Sequence, residues 1–105
     1  MGQFNVYKNN NPRTKKTFPY LLDIQSDLLD QLRTTVVIPL GAYAIVKDQV
    51  ITKLCPIVEI EGNKYAALTQ QIAGIEKSLL GANVTNISDC RSEFIDAIDL
   101  IISGI

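Results

Sequence analysis

Between Asp89 and Ile105 the chain has its clearest periodicity. At 100° per residue, Cys90, Phe94, Ile95, Ala97, Ile98, Ile101 and Ile102 share one broad arc, and Asp89, Ser92, Glu93, Asp96 and Asp99 the opposite one. That pattern predicts an amphipathic helix laid on a core. Ser88 or Asp89 stands where an N-cap belongs, and the acids of the first turn suit the positive end of the helix dipole. Leu100 falls among the acids, so Leu100-Ile101-Ile102 is apolar on more sides than one core covers. A helix end that delivers a tail to a partner fits this pattern, and so does a core helix that frays.

Upstream the period shortens to two. Gln3-Phe4-Asn5-Val6-Tyr7 alternates polar and apolar, predicting a first strand with one buried face. Lys8 to Thr17 is polar, contains Pro12 and reads as a loop. Tyr20 to Gln25 is a second strand, and Ser26 to Asp30 a turn or short helical bend that Ser26 caps. Leu28 and Leu29 are an unusual pair for a turn. Thr35 to Leu40 is β-branched and continuous, as in a buried central strand. Tyr43 to Val46 and Leu54 to Ile60 read as further strands. Glu61 to Lys64 is a hairpin turn into Tyr65 to Leu68. Gln70 to Gly74 is ambiguous, and Ile75 to Leu80 is a last short strand before Gly81. Many short strands followed by one helix predict an α+β domain with a strongly bent antiparallel sheet or small barrel.

Composition narrows the function more than the fold. With 105 residues, 47% hydrophobic and 20% charged, the chain has the size and balance of one ordinary soluble domain. A net charge of −1 gives no global case for direct nucleic-acid or membrane binding. No secretory pattern or membrane-spanning run is present. Cys55 and Cys90, in unrelated contexts, read as two thiols in a reducing compartment, so the cytoplasm is expected. There is no histidine, which removes the commonest general base and metal ligand. Two isolated cysteines make no zinc site and no glycine-rich phosphate loop occurs, so neither metal nor cofactor is expected. Binding is favoured over catalysis. The 8–17 stretch holds Lys8, Arg13, Lys15 and Lys16 and no acid; the remaining six bases against eleven acids leave the rest of the chain at −5. Charge alone favours a solvated mobile loop for such a cluster, and a docking site for an acidic partner segment is the other reading.

Five blocks, in order and without a large gap, resemble the CcdB toxins. They are Gln3-Phe4-x-Val6-Tyr7, Asp23 to Asp30, Val37-Ile38-Pro39-Leu40, Leu54-x-Pro56-Ile57-Val58, and Ile98-x-Leu100-Ile101-Ile102-x-Gly104-Ile105. The resemblance implies a single domain of residues 1–105, with an SH3-like barrel, a small extra sheet and a C-terminal helix. It implies a bacterial toxin of a toxin–antitoxin module that traps the gyrase–DNA cleavage complex and is not an enzyme. The implied partners are the A subunit of DNA gyrase, a CcdA-like antitoxin and a second copy of the chain. Carried over by position, Ser26, Leu28, Leu29, Asp99, Ser103, Gly104 and Ile105 are expected to face gyrase. Lys8, Arg13, Lys15, Lys16, Asp27, Gln49, Val50 and Ile51 are expected to meet the antitoxin, and Leu100 and Ile101 the twin subunit. The family ends Trp-Gly-Ile, with the tryptophan inserted between the gyrase subunits. Here that position is Ser103, in the middle of the acidic arc, which leaves the fold untouched and removes the main gyrase anchor. The alternative is a ribonuclease toxin of the MazF/Kid type on the same barrel, for which Arg13, Asp23 and Arg33 are the available candidates.

Overall fold

Phe4 decides where the first strand begins. Its φ of 68° turns the chain, its N–H reaches the Asp23 carbonyl at 2.6 Å, and its own carbonyl accepts from Ile87 N at 2.9 Å. Regular pairing therefore starts at Asn5, two residues later than the alternation from Gln3 suggests. In this computed structural model, which describes residues 2–104, the order is β1 (Asn5–Asn9), β2 (Tyr20–Asp23), β3 (Thr34–Ala42), α1 (Tyr43–Val46), β4 (Ile57–Ile60), β5 (Asn63–Ala67), β6 (Ala73–Glu76), β7 (Leu80–Asn86) and α2 (Arg91–Ser103).

The sheet is antiparallel, with β4, β5, β3, β2, β1 and β7 as successive neighbours. On one edge β3 pairs with β2 throughout, from Asp23 opposite Val37 to Tyr20 opposite Leu40. On its other edge it changes partner: Thr34 to Val37 face β6, and Leu40 to Ala42 face β5. Pro39 lies between the two and has no N–H to give a ladder; its carbonyl accepts from Leu68 N at 3.0 Å. The sheet forks there. The small extra sheet expected beside the barrel takes the form of this β6 branch. Register shifts in β1 opposite β7, at Val6/Tyr7 and Tyr7/Asn9, curl the other end. The architecture is α+β, a curled half-barrel with a C-terminal helix, consistent with an SH3-like barrel.

Two apolar clusters fill it. Phe4, Val6, Leu22, Ile38, Leu40, Val58, Ile60 and Ala67 pack under Phe94 of α2, whose ring lies 6.3 Å from that of Phe4. Val46, Leu54, Cys55, Ala66 and Leu68 form the second, with Phe18, Val50 and Leu100 against them. Burying Phe94 fixes the helix to the sheet, and only Phe94 and Ala97 on α2 are fully buried.

Several elements differ from the sequence expectation. Tyr43 to Val46 is a helical turn rather than a strand, since only Val46 enters the core while Tyr43 and Ile45 stay exposed. Val46 folds back over Gly41, where an added Cβ would lie 2.7 Å from its Cγ1. Of Leu54 to Ile60, only the part from Ile57 is strand; Cys55 N donates to Ile51 O in a turn that ends at Pro56. The hairpin needs just Glu61 and Gly62, with φ of 51° and 84°, as a two-residue primed turn requires. The ambiguous Gln70 to Gly74 stretch and Ile75 to Leu80 contain β6 and two 3-10 turns, and the last strand is β7. Ahead of α2, Ser88 to Cys90 form a 3-10 turn, so neither Ser88 nor Asp89 caps it; the cap position is Cys90, without a side-chain bond.

Candidate functional site

Leu28 and Leu29 sit in a 3-10 turn, Asp27–Leu29, whose backbone is satisfied locally. Ser26 Oγ accepts from Leu28 N at 3.2 Å, as a cap does. Leu29 N donates to Ser26 O and Asp30 N to Asp27 O. Distant groups hold the turn on three sides. Gln3 N donates to Asp27 Oδ1 at 2.9 Å. Gln25 Nε2 donates to Thr34 O at 3.2 Å and, more weakly, to Leu29 O. Lys77 Nζ donates to Asp30 O at 2.6 Å, with the Asp30 carboxylate 3.7 Å away. The result is a fixed turn that presents Leu28 at 93% exposure and Leu29 at 48%. Leu32 is exposed on the same segment and escaped the sequence reading; its four-residue spacing from Leu28 was the available signal. Asp27, carried over as an antitoxin contact, belongs to this turn with its carboxylate engaged by Gln3.

At the far end of α2 the apolar arc is narrower than the wheel implies. Ile95, assigned to the core face, is exposed, and Leu100, placed among the acids, is half-buried on the second cluster. The domain thus covers Leu100 only in part, and its remaining surface lines a hollow with Lys53, Pro56, Glu93 and Asp96. Ile101 remains 41% and Ile102 78% exposed. Ser103 is exposed beside Asp99 and donates from Oγ to the Asp99 carbonyl at 2.7 Å. Gly104 ends the helix in the left-handed region at φ 74° and donates to Leu100 O. Ile105 lies outside the described residues. The bonds of the Leu28 turn run through Gln3 to Arg91, at the opposite end of α2 from Ser103. A helix of that length spans about 18 Å, so these bonds do not bring the two expected gyrase segments together within one chain.

The basic loop is built rather than merely solvated. Asn9, buried at the end of β1, donates from Nδ2 to Thr14 Oγ1 and Phe18 O, and its Oδ1 accepts from Asn11 N. Asn11 in turn accepts Arg13 N on Oδ1 and Lys15 N on its carbonyl. Lys8, on β1, meets Lys15 and Lys16 around a shallow hollow of about 430 Å³ that Pro19 and Tyr20 also line. Arg13 is exposed at the loop's tip side and is not part of that lining. Burial first, and then the hydrogen bond to Glu61 at 3.2 Å, push the Tyr20 hydroxyl up to about 12, so it stays protonated. Phe18 and Val50 share the second apolar cluster, which sets the 49–51 segment beside the loop. Gln49 is fastened by Gln70 Nε2 to its carbonyl and Gln71 Nε2 to its side chain, and Ile51 is exposed. Gln71 also lines the groove under Asn9, Asn11 and Phe18. Gln70 and Gln71 were missed because the 70–74 stretch has no legible period.

The nuclease candidates do not converge. Asp23 is 3% exposed and accepts from Thr35 Oγ1 at 2.8 Å and Gln25 N at 3.1 Å. Burial holds its carboxyl above the usual value, against those two bonds and the more distant Lys77. Arg33 lines a separate hollow with Glu76, Lys77 and Ser78, and Arg13 belongs to the loop before β2. Both thiols are free; burial and the nearby Glu93 and Asp89 raise that of Cys90. Among the described residues no cluster of three or more potential metal ligands occurs, and no helix is long and apolar enough to cross a membrane.

A family model described as CcdB protein matches residues 3–104. That span takes in the braced turn, the basic loop and α2 through Gly104. Membership of this family implies a toxin of a toxin–antitoxin module that acts on DNA gyrase. With nearly its whole length matched, the chain belongs to the CcdB family.

Proposed function

We propose that this protein works by binding, as a homodimeric single-domain toxin of the bacterial cytoplasm that traps gyrase on cleaved DNA, with a CcdA-like antitoxin as its second partner. The observation that carries this reading is Leu28: an apolar side chain almost wholly in water on a turn held by Gln3, Gln25 and Lys77. Exposed apolar groups on a fixed backbone lose little entropy on docking. Leu28, Leu29 and Ser26 are the gyrase-facing knuckle, Asp99, Ser103 and Gly104 with Ile105 the second contact, and a two-fold dimer supplies each of them twice. Lys8, Arg13, Lys15 and Lys16, with Asp27 and the 49–51 segment, receive the antitoxin.

Ser103 sets the strength of the gyrase contact. A buried interface tryptophan carries roughly 2–4 kcal/mol, or about 30- to 1,000-fold in affinity, and a serine hydroxyl bonded to its own helix replaces none of it. Binding of the unmutated protein to the breakage–reunion domain of gyrase A is therefore expected to be weak, and Ser103→Trp to restore tight binding and growth arrest. Calorimetry on both forms decides this. Equal affinity for gyrase in the two would assign the contact to the leucine turn and Ile105 and remove Ser103 from it.

A further inference from the structure

We propose that Arg91 is a positioning residue for the Leu28 turn, acting through Gln3; this rests on the reading that the turn meets gyrase. Arg91 opens α2, where the helix dipole is positive and a cation is disfavoured. It is held there by two consecutive residues. Its guanidinium lies over the Phe4 ring, 5.7 Å from the centroid, and its Nη1 donates to Gln3 Oε1 at 3.1 Å. The left-handed backbone of Phe4 sends that ring into the core beside α2 while Gln3 remains half-buried at the rim.

Gln3 is a junction with every polar group in use. Its N–H donates to Asp27 Oδ1 at 2.9 Å and its Nε2 to Ile24 O at 3.0 Å. Its carbonyl accepts from Asn86 Nδ2 at 3.2 Å, and its Oε1 takes the Arg91 proton. Two of the four bonds grip the segment that carries Leu28, one on each side of Ser26. Removing the Arg91 donor leaves the Gln3 amide free to rotate, and the grip on Ile24 O goes with it. The α2 N-terminus, through one side chain, thus fixes the angle at which Leu28 leaves the surface.

Hydrogen exchange on the full chain tests this without any partner. Arg91→Ala is expected to speed exchange of the Leu29 and Asp30 amides about fivefold, the factor that losing one modest hydrogen bond gives. Amides of β3 should keep their rates, and Arg91→Lys, which keeps a donor and a cation, should return the turn most of the way. Unchanged turn amides would overturn the proposal, and so would faster exchange across the whole sheet, which marks a general structural role. The second arm is a double-mutant cycle on gyrase affinity in a Ser103→Trp background. Arg91→Ala should weaken binding about fivefold with Leu28 present and not at all with Leu28→Ala; equal losses in both would overturn it. If the Ser103→Trp protein does not bind gyrase, the proposed function fails, and the exchange arm still decides whether Arg91 holds the turn.

Discussion

Among the described residues Asp23 is the one buried acid, and its carboxylate accepts from Thr35 and Gln25. Burial makes that carboxyl harder to ionise in the folded chain than in the unfolded one. The folded state therefore holds the proton more tightly. The stability this contributes is complete below pH 3.8, the unfolded value, and is lost as pH rises through the higher folded value. Asp23→Asn keeps an oxygen for both donors and has no charge to bury. Its melting temperature is expected to exceed that of the unmutated protein by several degrees at neutral pH, with the gap closing towards pH 3. Parallel melting curves across that range would show the ionised carboxylate to be at no disadvantage. Ser103 illustrates the reverse case, an exposed side chain bonded to its own helix, so the fold tolerates whatever partner recognition asks for there.

Single elements separate stability from recognition. Phe94 joins α2 to the main core, and Phe94→Ala is expected to lose about 3–5 kcal/mol of stability in chemical denaturation. Leu28→Ala removes a side chain that touches mainly solvent and should change stability by less than about 0.5 kcal/mol. In the Ser103→Trp protein it should nevertheless weaken gyrase binding by about tenfold or more. A stability loss for Leu28→Ala would mean that the turn is core. The leucine pair was legible because it breaks the turn's expected polarity, and Ser26 because a serine there can cap the turn. The braces were not: Gln3 with Asp27 and Arg91 with Gln3 are 24 and 88 residues apart, and local patterning carries no such pairing. Local composition hid α1 and β7. α1 is a four-residue apolar run, too short for a period to tell helix from strand. β7 pairs only with β1 and has no fully buried residue, so its polar Asn83, Thr85 and Asn86 hid it.

For the whole molecule, the apolar surface left at the α2 end is the basis for expecting a second copy. Ile101 and Ile102 remain exposed, and the domain covers Leu100 only in part. A dimer at micromolar concentration is expected in light-scattering chromatography, and Ile101→Asp should yield a folded monomer; a monomeric unmutated protein would defeat this. Charge is as unevenly placed as apolar surface. Lys8, Lys15 and Lys16 ring one hollow, so affinity for an acidic antitoxin segment should fall with salt over distances beyond the roughly 10 Å Debye length at 0.1 M. Affinity that ignores both salt and neutralisation of these lysines would make the loop a bystander. The cluster itself was legible from charge alone, whereas its fastening by the buried Asn9 was not, since asparagine in a polar run signals nothing about burial.

The strand that opens the fold is hydrogen-bonded to the strand that closes the sheet, with Asn5 opposite Asn86. On a ribosome this orders events in time. β1 leaves the exit tunnel early and waits, unpaired on that edge, until some 81 more residues have been made. Contacts so distant in sequence put folding in the millisecond-to-second range rather than microseconds, and translation at about 5–20 residues per second is slower still. The Gln3 junction closes only after Asn86 and Arg91 have been made. A nascent chain that has not yet reached β7 and Arg91 therefore has an open edge on β1 and lacks the Gln3–Arg91 bond of the folded domain.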